Sequence, residues 1–384
     1  MEKNKYHSYN KGQLSKGCQY CVRGEKLVLF VTGICPRHCA FCPVSDQKYQ
    51  HDVQFANERE LSMDNSVNDL IKEAEIMRAR GAGITGGDPL AKLDRTCDYI
   101  QKLKEKFDKV FHIHLYTSLN LVNLEGLKKL FEAGLDEIRF HLDLSDKKLW
   151  EKLKLAKTFQ WDVGVEVPLI IGKEKELKEL IDFVAGKYDG SKKIDFLNLN
   201  ELEIADNQHY SQEGQPKDDL SYAIEGSLDL GLRLLRYIEE HELKLPTHLC
   251  TAKLKDAIQL SERIKRESLG MKKGFDIVDE EGMLLRGALY LPELMPGFNY
   301  REKLKSIDKR KMLEKLQPFY DRIKKKFNLE EGGIHLDPEK PRILISKRLC
   351  KKKTPYFLSI GLKPAIVTEY PTADQLEIEV EFLE

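Results

Sequence analysis

The chain has 384 residues, and its 63 basic and 63 acidic side chains give a formal net charge of zero. Apolar residues make up 41% and charged residues 33%, which is typical of an ordinary water-soluble protein of two domains or of one large barrel with an appendage. The balanced charge gives no global argument for a nucleic-acid partner. We expect a cytoplasmic protein without a membrane partner, because the first ten residues lack the apolar core of a signal peptide and no run approaches the roughly 18 apolar residues of a membrane span.

Short β-rich runs alternate with longer amphipathic stretches between residues 27 and 202. The predicted strands cover residues 27–31, 83–85, 112–118, 137–142, 163–169 and 196–202. The predicted helices between them cover residues 66–80, 94–107, 124–133, 146–158 and 173–187. Strands that alternate with helices in this way form parallel β/α units.

Polar residues mark one face of four consecutive predicted strands. His141 and Asp143 alternate with apolar neighbours, and so do Glu166, Asn198 and Asn200. Buried strands of an open parallel sheet are usually apolar on both faces, so this pattern favours a barrel with a polar interior that holds a ligand. The predicted fold class is α/β, a partial (β/α)6 TIM-like barrel with a C-terminal α+β domain.

The C-terminal part loses the α/β alternation. After a polar loop at 205–219, the pattern predicts helices at 227–241, 253–269 and 301–327, a strand pair within 277–290, and strands at 342–346, 356–361 and 376–382. We therefore predict an N-terminal segment 1–26, a barrel 27–269 and an accessory α+β domain 270–384.

Cys35, Cys39 and Cys42 form a C-x3-C-x2-C cluster directly after the first predicted strand. A tetrahedral metal site needs four donors, and a [4Fe-4S] cluster held by three cysteines leaves one iron free for a non-protein ligand. A structural zinc knuckle is the alternative, although it would need a fourth ligand nearby.

A Gly86-Gly87-Asp88-Pro89 turn ends the second predicted strand. Glycines let a ligand approach the backbone closely, and a carboxylate can pair with an ammonium group. Its place at a strand end, about 45 residues after the cysteines, favours a binding turn over a plain loop.

The cysteine spacing, the aromatic Phe41 before the last cysteine and the β/α pattern resemble the radical S-adenosylmethionine (radical SAM) superfamily. The layout is similar to that of the glycyl-radical activating enzymes. The resemblance implies a [4Fe-4S] cluster on the three cysteines, with its fourth iron chelated by S-adenosylmethionine. It also implies reductive cleavage to a 5′-deoxyadenosyl radical, which abstracts hydrogen from a substrate, and an electron donor such as a flavodoxin or ferredoxin.

The resemblance further implies the residues that bind the cosubstrate. The glycine turn and its acid would bind the amino group, with Asp88 in place of the commoner glutamate, and Thr117 and Ser118 would lie near the carboxylate or ribose. The predicted cofactor-binding residues are Phe41, Gly86, Gly87, Asp88, Pro89, Thr117, Ser118, His141 and Glu166.

Cys18 and Cys21 form a second motif, C-x2-C. They could ligate a second metal centre with Cys250 or Cys350 as partners. Two cysteines do not complete a site, so a pair of reduced thiols in a turn is the alternative.

The sequence is also compatible with two other functions. Radical SAM modification of RNA or a peptide would use the basic segments 324–326 and 347–353 to contact the macromolecule. A non-catalytic iron-sulfur or zinc-binding protein would use the cysteines structurally or for electron transfer. The sequence leaves open whether the substrate is a small molecule, a protein or RNA.

Overall fold

The computed structural model describes residues 2–62, 64–191 and 193–384. The chain divides into two compact units, one that runs up to Arg263 and one that covers Ile264–Glu384. Within the described ranges, no helix is both long and apolar enough to cross a membrane.

One sheet organises the first unit. In the described part of this unit its strands are β1 (Glu2–Lys3), β2 (Tyr9–Lys11), β3 (Lys26–Phe30), β4 (Phe55–Ala56), β5 (Arg59–Glu60), β6 (Gly81–Thr85), β7 (His112–Ser118), β8 (Glu137–His141), β9 (Asp162–Pro168), β10 (Phe196–Asn200) and β11 (Thr247–Cys250). Strands β3 and β6 to β11 run parallel, and each pairs with the next along the chain. Antiparallel β1–β2 and β4–β5 flank this parallel set, so the sheet is an open, partial barrel.

The helices of this unit mostly connect successive parallel strands. They are α1 (Lys16–Cys21), α2 (Ser66–Ile76), α3 (Leu93–Phe107), α4 (Leu124–Ala133), α5 (Leu153–Ala156), α6 (Glu174–Ala185), α7 (Ser227–Glu240), α8 (Ala252–Leu254) and α9 (Ser261–Met271), the last of which crosses the boundary between the units. Helices α2 to α7 each lie between two successive strands of the parallel set, which confirms the predicted (β/α)6 arrangement. The short β11 adds a seventh parallel strand that the sequence did not predict.

Two helix predictions in this unit need correction. The helix predicted over 146–158 is confined to α5 and a preceding 3-10 turn, because Asp143 accepts the backbone N–H groups of Ser145 and Asp146 in a local turn. The helix predicted over 253–269 is interrupted by a π-helical turn, Lys255–Leu260, between α8 and α9.

The two faces of the sheet differ as the alternation predicted. Leu29, Ile84, Ile138, Val165 and Leu197 are completely buried within one continuous apolar core with the helices. The opposite face carries the polar residues.

Helix α1 fills that polar face near the amino ends of the strands. The backbone N–H of Gly17 donates to Glu137 Oε2 (2.9 Å), and α1 contacts β3, β6 and β7. The adjacent Arg139 is 2% exposed. A side-chain network therefore fills this half of the predicted polar interior, and the strands open to a cavity at their carboxyl ends.

The second unit is an antiparallel α+β structure, the architecture that the sequence predicted. Its described elements are β12 (Ile277–Val278), β13 (Leu284–Tyr290), α10 (Tyr300–Ser306), α11 (Lys309–Lys326), β14 (Ile334–Asp337), β15 (Arg342–Ile345), α12 (Lys347–Lys352), α13 (Thr354–Ser359), β16 (Lys363–Glu369) and β17 (Glu377–Phe382). The sheet order is β14-β15-β13-β16-β17, and β12 pairs with β13.

Two element predictions in the second unit are wrong. Residues 356–361 lie mostly in helix α13, which begins with Pro355 in its first turn and ends before Gly361 at φ +89°, so they are not a strand. The helix predicted over 301–327 is two helices, because Asp308 caps α11 by accepting the backbone N–H of Lys311 (3.1 Å).

We predict that Gly17→Ala destabilises the first unit by about 2–3 kcal/mol, because a methyl group has no room between α1 and the sheet. Its Cβ would lie 2.5 Å from Arg139 Nη2 and 2.8 Å from Glu137 Oε1. Urea unfolding measures the free energy of unfolding. The exposed Lys16→Ala on the same helix is the matched control, and equal stability of the two variants would show that α1 does not pack this tightly.

Candidate active site

The cysteine loop, which we define as residues 32–52, connects β3 to β4 and has no regular secondary structure. Backbone hydrogen bonds close it at its base, from Gly33 N–H to His51 O (2.8 Å) and from Gln50 N–H to Gly33 O (3.0 Å). Its first residues are also fixed to the glycine turn, since Gly87 N–H donates to Thr32 O (2.7 Å).

The three cysteines of this loop line one cavity of about 510 Å³. The predicted cofactor-binding residues that line the same cavity are Phe41, Gly86, Gly87, Thr117, Ser118 and His141. Asp88 and Pro89 are buried behind this wall. The structure thus brings together side chains from the cysteine loop and the ends of β6, β7 and β8.

The glycine turn is shaped by its contact with the cysteine loop. Gly86 has φ +152°, and a Cβ on it would lie 2.4 Å from Thr32 O. A Cβ on Gly87 would lie 2.5 Å from Gly33 O. Only glycine fits these positions without displacing backbone, so the turn forms a flat wall where a ligand can approach peptide groups.

Asp88 ties the glycine turn to the end of β7. Its Oδ1 accepts hydrogen bonds from Thr117 Oγ1 (2.7 Å) and Leu90 N–H (3.1 Å). Its Oδ2 accepts from Ser118 Oγ (2.7 Å) and Ser118 N–H (3.2 Å). The carboxylate therefore orients two cavity-lining hydroxyl groups, and its predicted contact with a cosubstrate amino group stays a prediction.

Arg37, inside the cysteine loop, has a role that spacing alone could not reveal. Its Nη1 donates to His141 O (3.1 Å) and its Nη2 to Asp143 Oδ2 (3.0 Å), which ties the loop to the end of β8. Burial, together with the positive charge of Arg37, lowers the pKa of His141 to about 4. The imidazole in the cavity wall is therefore neutral at neutral pH.

The donor set fits an iron-sulfur cluster in its chemistry. Burial raises the pKa of Cys35 to about 11 and raises the pKa values of Cys39 and Cys42, so the free thiols are protonated at neutral pH. Thiolates are the form that ligates iron, so metal binding releases these protons. In the described ranges no group of three His, Cys, Asp or Glu side chains is already arranged as a metal site.

A second cavity of about 340 Å³ adjoins the first. The lining residues common to both are Phe41, Pro43, Thr85, Tyr116 and His141. Most of the other lining residues are polar and come from β9, β10 and the segments after β10 and β11: Glu166, Asn200, Glu201, Glu203 and Lys255.

Glu166 is held as a carboxylate in this second cavity. Its Oε2 accepts from Arg139 Nη1 (2.9 Å) and Asn198 Nδ2 (2.8 Å), and its Oε1 from Asn200 Nδ2 (2.9 Å). Burial opposes ionisation, but the charge of Arg139 and these donors hold the pKa of Glu166 below its usual value. Sequence reasoning missed the ion pair of Lys255 with Glu203, because the two residues lie 52 positions apart, one in a predicted helix and the other near a predicted loop.

The C-x2-C pair lies on α1, near the amino ends of the parallel strands. Cys18 Sγ accepts from Asn198 Nδ2 (3.3 Å) and Arg139 Nη2 (3.5 Å). Burial raises the pKa of Cys21 to about 12. Cys250, at the end of β11, is also buried in this unit, whereas Cys350 belongs to the second unit.

Known proteins are similar to this chain, in one case over part of the first unit and in another over almost the whole length. The model of the Radical SAM superfamily matches residues 29–166, which include the cysteine loop, β6 to β8 and most of β9. A Methanocaldococcus jannaschii protein named "Putative glycyl-radical enzyme activating enzyme" is 37% identical over 390 aligned positions, 98% of this chain and 95% of that protein.

Other relatives are similar over a smaller part. Biotin synthase of Pseudoalteromonas translucida is 30% identical over 144 aligned positions, 36% of this chain and 38% of that enzyme. Among solved structures, Streptococcus suis SuiB bound to S-adenosylmethionine matches with a TM-score of 0.43 and 15% identity, over 59% of this chain and 50% of that chain.

We predict that Asp88→Ala lowers the free energy of unfolding by about 2–4 kcal/mol, because it leaves buried donors of Thr117, Ser118 and Leu90 without acceptors. Chemical denaturation measures this. Asp94→Ala, which removes a 91% exposed carboxylate paired with Lys129, is the control and should change stability by less than about 0.5 kcal/mol. Equal effects of the two substitutions would contradict the positioning role of Asp88.

Proposed function

Because the chain belongs to the radical SAM superfamily, we propose that it cleaves S-adenosylmethionine reductively, with a [4Fe-4S] cluster on Cys35, Cys39 and Cys42. The observation that carries the proposal is the shared cavity of about 510 Å³, where the three thiols face the glycine turn and the hydroxyl groups at the end of β7. That volume is within the range of small-molecule sites.

A cluster held by the three cysteines would supply an electron, and the cosubstrate would supply the radical chemistry that removes hydrogen from the substrate. The protein's residues bind and orient. The peptide groups of Gly86 and Gly87 offer a close backbone wall, Thr117 and Ser118 offer hydroxyl groups fixed by Asp88, and Phe41 packs against His141 at a ring-centroid distance of 5.4 Å. The neutral His141 adds no positive charge beside a cationic sulfonium.

For the substrate, we propose a protein, and more specifically a glycyl-radical enzyme. The name of the M. jannaschii relative, which aligns with almost the whole chain, supports this assignment. The second cavity, lined by Glu166 and Asn200, adjoins the first and offers polar groups to a substrate. A flavodoxin or ferredoxin would supply the electron, in the reducing cytoplasm that eight free thiols suit.

We predict that Cys35→Ala, Cys39→Ala and Cys42→Ala each lower the formation of 5′-deoxyadenosine by more than about 100-fold, because loss of a ligand costs more than loss of a group that only orients one. The assay uses anaerobically reconstituted, chemically reduced protein, with iron per chain and 5′-deoxyadenosine as readouts. The matched control is Cys97→Ala, a half-buried cysteine of α3. Parental iron content and turnover in the three variants would contradict the assignment, and a parent that forms no 5′-deoxyadenosine would favour a non-catalytic metal protein.

The same preparation tests the second metal centre. We propose Cys18 and Cys21 as its ligands, because both thiols lie on one short helix with Cys250 in the same unit. The Cys18→Ala/Cys21→Ala variant should then lose metal while the three-cysteine site stays loaded. An unchanged iron and zinc content would show that the pair serves packing alone.

A second candidate function, RNA modification, is favoured by a basic surface on the second unit. We define this surface as Lys324–Lys326 at the end of α11 together with Lys347–Lys353. Rings join the two segments, since Phe327 and Tyr356 lie 5.3 Å apart with Lys353 and Lys326 over their faces. In the described part of the chain, only Lys351 among the lysines of this surface has a carboxylate within ion-pair distance, Glu381 at 3.3 Å.

We predict for this candidate that Lys325→Glu/Lys352→Glu weakens RNA binding and reduces the slope of log K against log salt by about 1.4, or roughly 0.7 for each lost phosphate contact. Fluorescence anisotropy over a salt series measures both. The control is Lys309→Glu/Lys315→Glu, the same change of charge at lysines that pair with Glu339 and Glu293. If the two double variants bind RNA equally, the basic surface is not an RNA site.

A further inference from the structure

The polar segment after β10 lies against the cysteine loop. We call residues 203–212 the strap. The backbone N–H groups of Ser211 and Gln212 both donate to Ala40 O, at 2.8 and 3.0 Å. Ala40 stands between Cys39 and Cys42, so two donors of the strap fix the peptide between two of the predicted ligands.

Asn207 contacts a predicted ligand residue directly. Its Nδ2 donates to Cys42 O (3.0 Å), while its Oδ1 accepts the backbone N–H of Tyr210 (2.7 Å). The second bond holds the amide in one orientation, with its donor facing the cysteine loop. Tyr210 in turn donates through its hydroxyl group to Glu203 O (3.2 Å).

His209 forms a third set of contacts. Its ring stacks on Tyr49 with centroids 3.7 Å apart and planes 12° apart, and its Nδ1 lies 3.3 Å from Asp46 Oδ1. The same Asp46 oxygen accepts the backbone N–H of Gln208 (3.0 Å). Tyr49 reaches back to His38, between the cysteines, with an oxygen-to-Nδ1 distance of 2.7 Å.

These contacts matter because the cysteine loop has no helix or strand of its own near the ligands. The peptide groups of a loop without regular structure need hydrogen-bond partners from other segments. Fixing such a loop in one conformation also costs conformational entropy. The strap satisfies the carbonyl groups of Ala40 and Cys42, and its His209 backs Tyr49, a ring that lines the first cavity with the three cysteines. Its first residue, Glu203, also lines the second cavity.

We propose that the strap positions the cysteine loop around the cluster and shields the cluster from solvent and oxygen, with Asn207 and His209 as positioning residues. This inference rests on the proposed function, because it takes the three cysteines as cluster ligands. Asn207 fixes the backbone of a predicted ligand, and His209 holds Tyr49 in the wall of the first cavity.

The test compares the full-length parent with Asn207→Ala/His209→Ala after anaerobic reconstitution. The readouts are iron per chain, the rate at which the cluster absorption bleaches in air, and the electron paramagnetic resonance spectrum of the reduced protein with and without S-adenosylmethionine. We expect parental iron content at the start, bleaching that is at least about fivefold faster, and a broadened spectrum in the variant. The matched control is Glu213→Ala, an exposed side chain just beyond the strap, which should match the parent.

Two single variants keep the test decisive if the double variant folds poorly. Asn207→Asp retains the acceptor for Tyr210 N–H but presents a carboxylate to Cys42 O, so it should also bleach faster. His209→Phe keeps a ring to stack on Tyr49 and should restore most of the protection lost in His209→Ala. Faster bleaching in Asn207→Asp, together with slower bleaching in His209→Phe than in His209→Ala, supports the proposed positioning role of the strap.

The possible outcomes distinguish a failure of the strap proposal from a failure of the proposed function. A parent that takes up no iron overturns both. A parent that holds a cluster and forms 5′-deoxyadenosine, with strap variants that bleach at the parental rate and give the parental spectrum, overturns the strap alone.

Discussion

The buried guanidinium of Arg139 is the constraint on which the interior of the first unit depends. A buried charge is tolerated only when it is paired and its donors are satisfied. All five N–H groups find acceptors, which are Glu137, Glu166, Tyr116, Ser15 and Cys18. This one side chain therefore joins β7, β8, β9 and α1 and fills the polar interior near the amino ends of the strands. It also fixes Glu166, which lines the second cavity.

Above that network, the candidate site is built from loops that are fixed at several points. The glycine turn contacts the start of the cysteine loop. Within the loop, Arg37 bonds to the end of β8, and Asn207, from the segment after β10, bonds to the carbonyl group of Cys42. A loop held from three elements can present its thiols in a defined geometry without regular secondary structure. The polar residues below it remain fixed by Arg139 rather than by solvent, so the two cavities form on a rigid base.

The sequence predicted six of the seven parallel strands and the three-cysteine loop because both have strong local signals: short β-rich runs, four of them with a period of two, and a fixed cysteine spacing. The model of the superfamily and the M. jannaschii relative confirm the family. The contacts of Arg37 and Asn207 join residues more than a hundred positions apart, and no local pattern reports such contacts. Residues 356–361 resembled a strand because of their apolar composition, but Pro355 starts a helix there, an effect of one residue that outweighs the pattern.

We propose that Cys35, Cys39 and Cys42 hold a [4Fe-4S] cluster whose fourth iron binds S-adenosylmethionine. Electron-nuclear double resonance tests this on the reduced, reconstituted protein with cosubstrate labelled with ¹⁵N in its amino group. We expect a [4Fe-4S]⁺ signal with a ¹⁵N coupling that appears when the labelled cosubstrate is added. A reduced cluster whose spectrum shows no coupling to the labelled nitrogen would contradict it.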